Sequence, residues 1–192
     1  VKKLLLKIKE GKDVTFMVDC EQHVQFLQHL AEETGVTVQV CIDMNVSADY
    51  SILYFGTKRS PITTIEKLQS FLRALKRYPL IQVVGAMGYD AQIAGVTDHF
   101  DNGFKSKLVQ QLKKRSKQSV RSFRQHAVSL IKAQWPLSFV NGGGSGSMTY
   151  SITQRDVTEI TVGSAFYAPA LFDRYTSLQL QPAAGYACRV VR

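Results

Sequence analysis

Five short, nearly continuous apolar runs constrain this chain more than any other feature: Val14 to Val18, Thr37 to Ile42, Ile81 to Gly85, Leu137 to Val140 and Val157 to Val162. Runs of that length and continuity are the pattern of strands buried on both faces. Helical spacing separates most of them. Glu21 to Thr34 places Val24, Leu27, Leu30 and Ala31 on one face, with Asp19 or Cys20 as its N-cap and Gly35 just past its end. The next helix is expected to begin around Ser60-Pro61, to bury Ile65, Leu68, Leu72 and Leu75, and to end at Tyr78-Pro79. Strands alternating with helices argue for a parallel sheet, either doubly wound or a (β/α)8 barrel.

Between the last two strands lies Asn141-Gly142-Gly143-Gly144-Ser145-Gly146-Ser147. Glycines let backbone N–H groups approach an anion closely, and two serines add hydroxyl donors, chemistry that suits a phosphate. Composition alone describes a flexible linker equally well. The placement between two core strands favours the phosphate reading. It also favours a barrel, in which a phosphate group sits after strands seven and eight. Counted that way, the first visible strand is the fourth, and the chain is expected to be an incomplete (β/α)8 barrel of about strands 4 to 8.

The 192 residues, 45% of them hydrophobic, suffice for one core, and the whole chain, 1–192, is read as one partial barrel domain. The net charge of +9 is concentrated in Lys105, Lys107, Lys113, Lys114, Arg115, Lys117, Arg121 and Arg124, with no acid between them. Leu108, Leu112, Val120, Phe123, Ala127 and Leu130 recur at helical spacing through the same stretch, so the cations read as the solvated face of an amphipathic helix. No nucleic-acid-binding motif accompanies them, and a nucleic-acid partner is not expected. No apolar run is long enough to cross a bilayer, and the N-terminal run is too short for a secretory signal. Three cysteines at no metal-ligand spacing point to a reduced, cytoplasmic setting.

At the C-terminal mouth of the sheet, where barrel enzymes carry their chemistry, Ile81 to Gly88 leads into Tyr89-Asp90-Ala91-Gln92. The second strand ends in Asp43-Met44-Asn45, with Asp43 either a functional group or a loop anchor. Arg59 supplies a permanent cation able to orient an acidic group. After the last strand, Ser164 and Tyr167 offer a hydroxyl and a phenol near the expected phosphate. His99, between Asp98 and Asp101, reads as part of a solvated loop rather than a metal site.

Gly85-Ala86-Met87-Gly88-Tyr89-Asp90-Ala91-Gln92, Val140 to Ser147 and Val157 to Ser164, in this order, resemble the D-threonine aldolase and D-serine dehydratase branch of the alanine-racemase-like, fold type III pyridoxal-phosphate enzymes, and more closely the amino acid deaminase/aldolase proteins. The resemblance covers about Val14 to Arg192. It implies a (β/α)8 barrel that binds pyridoxal 5'-phosphate, with Asn141, Gly142, Gly143, Gly144, Ser145, Gly146, Ser147, Ser164 and Tyr167 at the cofactor and with Tyr89 and Arg59 as catalytic residues. It further implies a lyase acting on a small D-amino acid, a homodimer as the complete protein, and a divalent metal carried by a C-terminal β-domain. No residue of this chain is assigned to that metal, and none is assigned as the Schiff-base lysine, which relatives carry on their first strand. A non-catalytic pyridoxal-phosphate-binding protein and an amino acid racemase are the alternative readings.

Overall fold

The structure, a computed structural model, describes residues 1–49 and 54–189. Helix α1 (Lys2–Lys9) precedes β1 (Thr15–Val18), α2 (Glu21–Thr34) and β2 (Val38–Met44). A hairpin, β3 (Ala48–Asp49) and β4 (Tyr54–Phe55), leads to α3 (Ile65–Leu75) and the long strand β5 (Ile81–Tyr89). The short helix α4 (Ala91–Ala94), the long α5 (Gly103–Lys132) and β6 (Phe139–Gly143) follow. A 3₁₀ turn, Ser145–Ser147, then runs into α6 (Met148–Ser151), and β7 (Glu159–Ile160) completes the sheet.

The five main strands form one parallel sheet in the order β1-β2-β5-β6-β7, each beside its predecessor in the chain. Parallel neighbours need crossovers, and helices provide them on one face of the sheet. Val18 of β1, Val38, Val40 and Ile42 of β2, and Val83 and Ala86 of β5 pack there against Val24, Leu27 and Ala31 of α2, Leu68 and Leu72 of α3, and Ala127 and Ile131 of α5. The opposite face carries Met17, Cys41, Gly85 and Phe139 in one register row and Asp43, Met87, Asn141 and Glu159 in the next. The β2–β5 register shifts by one between Val40 and Cys41, so Val84 has no partner. Among the described residues β1 and β7 are the sheet edges.

All five expected strands are present, parallel and in sequence order, with different lengths. β5 runs on to Tyr89, β6 takes in Gly142 and Gly143, and the last strand contracts to Glu159–Ile160. Helix α3 starts four residues later than Ser60-Pro61 suggests. Thr64 is its N-cap, accepting from Lys67 N, while the Ser60 hydroxyl accepts from Ile62 N and donates to Asp43 O as a turn. The sequence reading did not include α1, which is held by Leu5, fully buried in the core.

The basic helix is not a solvated face throughout. Lys113 and Arg124 are buried at 4% and 1% exposure on the same stripe as Ser116, Val120, Ala127 and Ile131, whereas Leu108 is 49% exposed. The Asp98–Asp101 loop is likewise only partly solvated, since Asp98 is buried and paired to Lys113.

Candidate functional site

The C-terminal ends of β2, β5, β6 and β7 converge on one mouth. Asp43, on the inner face of β2, accepts from Arg59 Nε at 2.7 Å and fixes the guanidinium 5.9 Å above the Tyr89 ring. Arg59 and Tyr89, sixteen and more residues from Asp43 in sequence, thus form one unit with it. Burial raises the Asp43 carboxyl above its ordinary value, against the opposing pull of Arg59, and its Oδ1 is buried without a partner among the described residues. The charge of Arg59 therefore matters to Asp43, because a buried carboxylate is costly without a paired cation. One row below, burial beside Asp43 and Glu159 pushes the Cys41 thiol up to about 12, so it is no nucleophile.

The glycine segment lies against the same tyrosine. Gly143 has φ +92°, a conformation L side chains rarely adopt, and it turns the chain out of β6. Gly144 has no room for a side chain: a Cβ would lie 2.7 Å from Tyr89 Cε2 and 2.7 Å from Ala94 Cβ. The Ser145 hydroxyl sits 3.0 Å from that of Ser164 and accepts from Ala165 N, tying the glycine segment to the turn after β7. The 3₁₀ turn begins here, and the first N–H groups of a helical turn have no intrahelical acceptor. Asn141 donates to Glu159 and to Thr161 Oγ1 across β6 and β7, closing the floor of the mouth.

Beneath the mouth lies a polar network that sequence reasoning missed. The Arg124 guanidinium donates to Asp90 Oδ1 and to Gly88 O, and Asp90 Oδ2 accepts from Ser151 at 2.8 Å and Ser147 at 3.5 Å. Asp90 directly follows Tyr89, and Ser147 and Ser151 belong to the turn and helix that follow Gly144. One buried ion pair therefore fixes the tyrosine and the glycine segment relative to each other. Arg124 also reaches the two glycines that admit it: a Cβ at Gly142 would be 3.3 Å from its Nη2, and one at Gly88 3.8 Å.

Of the residues singled out from sequence, the structure brings Arg59, Tyr89, Gly142, Gly143, Gly144, Ser145 and Ser164 to one mouth, with Asn141 in its floor. Gly146 and Ser147 are buried behind it, and the Ser147 hydroxyl turns to Asp90 and Gly144 O. Tyr167 lies at the surface, 66% exposed, at the end of the turn Ser164–Phe166. Beside Tyr89, between β4 and α4, a cavity of about 280 Å³ is lined by Tyr54, Thr57, Gln92 and Val96. At the end of β1, Asp19, Cys20 and His23 place ligand atoms within 4.8 Å of one another, with His23 Nδ1 3.0 Å from Asp19 Oδ1. No lysine lies on any strand among the described residues. No helix among them is long and apolar enough to cross a membrane.

No protein-family model matches the sequence, and no curated protein matches it. Solved structures share its fold. D-threonine aldolase from Filomicrobium marinum superposes with a TM-score of 0.68 at 16% identity, over 88% of this chain and 42% of that one. D-threo-3-hydroxyaspartate dehydratase from Delftia sp. HT23 gives 0.61 at 18% identity, over 84% and 38%. Alanine racemase from Clostridium difficile 630, in complex with cycloserine, gives 0.54 at 15% identity, over 88% and 40%. The chain has part of the alanine-racemase-like barrel fold and spans less than half the length of these proteins.

Proposed function

We propose that this chain is the cofactor-binding part of a pyridoxal-phosphate-dependent lyase of the amino acid deaminase/aldolase type, acting on a small D-amino acid. The observation that carries the reading is Gly144, a residue without space for a Cβ, wedged between the Tyr89 ring and Ala94 next to the Ser145–Ser164 hydroxyl pair. A backbone pressed this closely to an aromatic ring, followed by free turn N–H groups and two hydroxyls, fits a phosphate carried by a flat ring. The fold shared with D-threonine aldolase and D-threo-3-hydroxyaspartate dehydratase supports the lyase class.

In this reading, Gly143, Gly144, Ser145 and Ser164 hold the phosphate, and Asn141 keeps β6 and β7 in register beneath it. Pyridoxal phosphate, when bound, supplies an electron sink for the bond broken at the substrate Cα. Arg59 holds a positive charge at the ring-facing side of Tyr89, fixed there by Asp43. The Tyr89 phenol holds or moves a proton at its hydroxyl, and the neighbouring cavity of about 280 Å³ gives a small amino acid room beside it. Racemisation is the second reading, supported by the fold shared with alanine racemase.

Replacing Gly144 by Ala tests the assignment. With a methyl group 2.7 Å from the Tyr89 ring, the variant is expected to bind pyridoxal phosphate more weakly while unphosphorylated pyridoxal, which lacks the group in question, is affected little. Ser145→Ala, which removes only a hydroxyl, provides the mild companion. Equal pyridoxal-phosphate affinity in parent and both variants, measured by equilibrium dialysis, rejects the phosphate loop.

A further inference from the structure

The basic run of α5, which the proposed site does not use, has a second consequence. Behind the glycine segment a cavity of about 210 Å³ is lined by Lys113, Lys114 and Lys117 on one face of α5, by Thr149 and Tyr150 of α6, and by Ser177. Three lysines and one carboxylate, Asp98, line it. Asp98 is consumed, its Oδ2 by Lys113 at 3.2 Å and its Oδ1 by Thr176 N at 2.8 Å. No carboxylate pairs with Lys114 or Lys117 among the described residues. Lys117 instead lies 5.5 Å over the Tyr150 ring, and Lys113 lies 4.7 Å over that of Tyr175.

We infer that this cavity is a second anion site, for a small phosphorylated molecule, separate from the glycine loop. Two uncompensated cations beside a third match a dianion; a single carboxylate would leave one of them unpaired. Thr149 and Ser177 add hydroxyls at the rim, and the phenol of Tyr150 is already committed to Lys117 O. Burial lowers the Lys113 pKa, and the charge of Lys117 adds to that shift, as expected of cations crowded into one cavity. A bound dianion relieves the crowding. The volume of about 210 Å³ fits a sugar-phosphate-sized ligand, and its lining offers no aromatic stacking platform beyond Tyr150 for a nucleic-acid strand.

The inference does not rest on the pyridoxal-phosphate reading, and the test separates the two. Pyrophosphate is titrated into the chain by calorimetry in phosphate-free buffer at low salt. Lys114→Ala/Lys117→Ala is expected to weaken saturable binding by about tenfold or more. Lys107→Ala/Lys132→Ala removes the same charge from exposed positions of α5 outside the cavity, and is expected to weaken it far less. Ser145→Ala, at the glycine loop, is expected to leave this binding intact. Equal losses in the two lysine pairs would mean diffuse charge and overturn the site. Loss of all pyrophosphate binding in Ser145→Ala would mean one anion site only, and binding of a single-stranded oligonucleotide without pyrophosphate would mean a nucleic-acid surface instead.

Discussion

Replacing Arg124 by Met asks how much the network beneath the mouth contributes. The side chain is 1% exposed, and its partner Asp90 is fully buried. Met keeps most of the volume and removes the charge, leaving Asp90 as an unpaired buried carboxylate that retains only Ser147 and Ser151. Breaking one side of a buried pair costs about 3–5 kcal/mol. For a chain of this size, at about 2–4 °C per kcal/mol, the expected fall in Tm is roughly 6–20 °C. The pair is not an ideal one, because Arg124 Nε and Nη1 are buried without partners among the described residues, and removing both charges together leaves less unsatisfied than removing one. Asp90→Asn combined with Arg124→Met is therefore expected to recover most of the loss, Asn still accepting from Ser151. Urea unfolding of parent, both single variants and the double variant closes the cycle. A cost below about 1 kcal/mol for Arg124→Met, or a double variant no better than the sum of the singles, refutes the argument that the two charges hold the mouth together.

Under the proposed lyase function, Tyr89→Phe, which removes only the phenol hydroxyl, is expected to keep pyridoxal-phosphate affinity while turnover of a D-amino acid falls about 10²–10⁴-fold, the range for a lost general acid or base, and unchanged kcat makes Tyr89 a packing residue. Asp98 titrates below its ordinary 3.8, because the Thr176 N–H and Lys113 outweigh the opposing effect of burial. A carboxyl held low stabilises the fold above its unfolded pKa and loses that contribution as pH falls through the folded one. The stability of the parent is therefore expected to drop more steeply than that of Asp98→Asn as the pH is taken below 3.8, followed by urea unfolding across that range, and parallel curves reject the pairing.

The strands were legible because β2, β5 and β6 are buried along most of their length, which leaves an apolar run that few other structures produce, while β1 and β7 at the edges keep a shorter apolar run with part of each exposed. The mouth was legible for a related reason: Tyr89 and Gly142 to Ser145 follow directly on those strands. The polar network was not. Arg124 sits four residues after Val120 and three before Ala127, at a position of the buried stripe, yet a charge at such a position looks the same in sequence as one on the solvent face. Its partner Asp90 lies 34 residues away, and Asp98 and Lys113 lie 15 apart, so neither pairing leaves a local pattern. Arg59 stands out in sequence as a loop cation, but nothing there ties it to Asp43, which the fold puts 2.7 Å away. The start of α3 is not legible in sequence, because Ser60-Pro61 has the composition of a helix entry while its hydroxyl serves a turn.

The unpartnered Val84 decides which way the end of β5 looks. Before it, Ile81 and Val83 face the helices; after it, Ala86 and Gly88 do, so the odd-numbered residues have changed sides. Had the same residues alternated strictly from Val83 onward, with no break, Met87 and Tyr89 would face the helix layer and Gly88 and Asp90 the mouth. The irregularity acts as a parity switch: the break in alternation at Val84 determines whether the end of β5 offers the mouth a phenol or bare backbone.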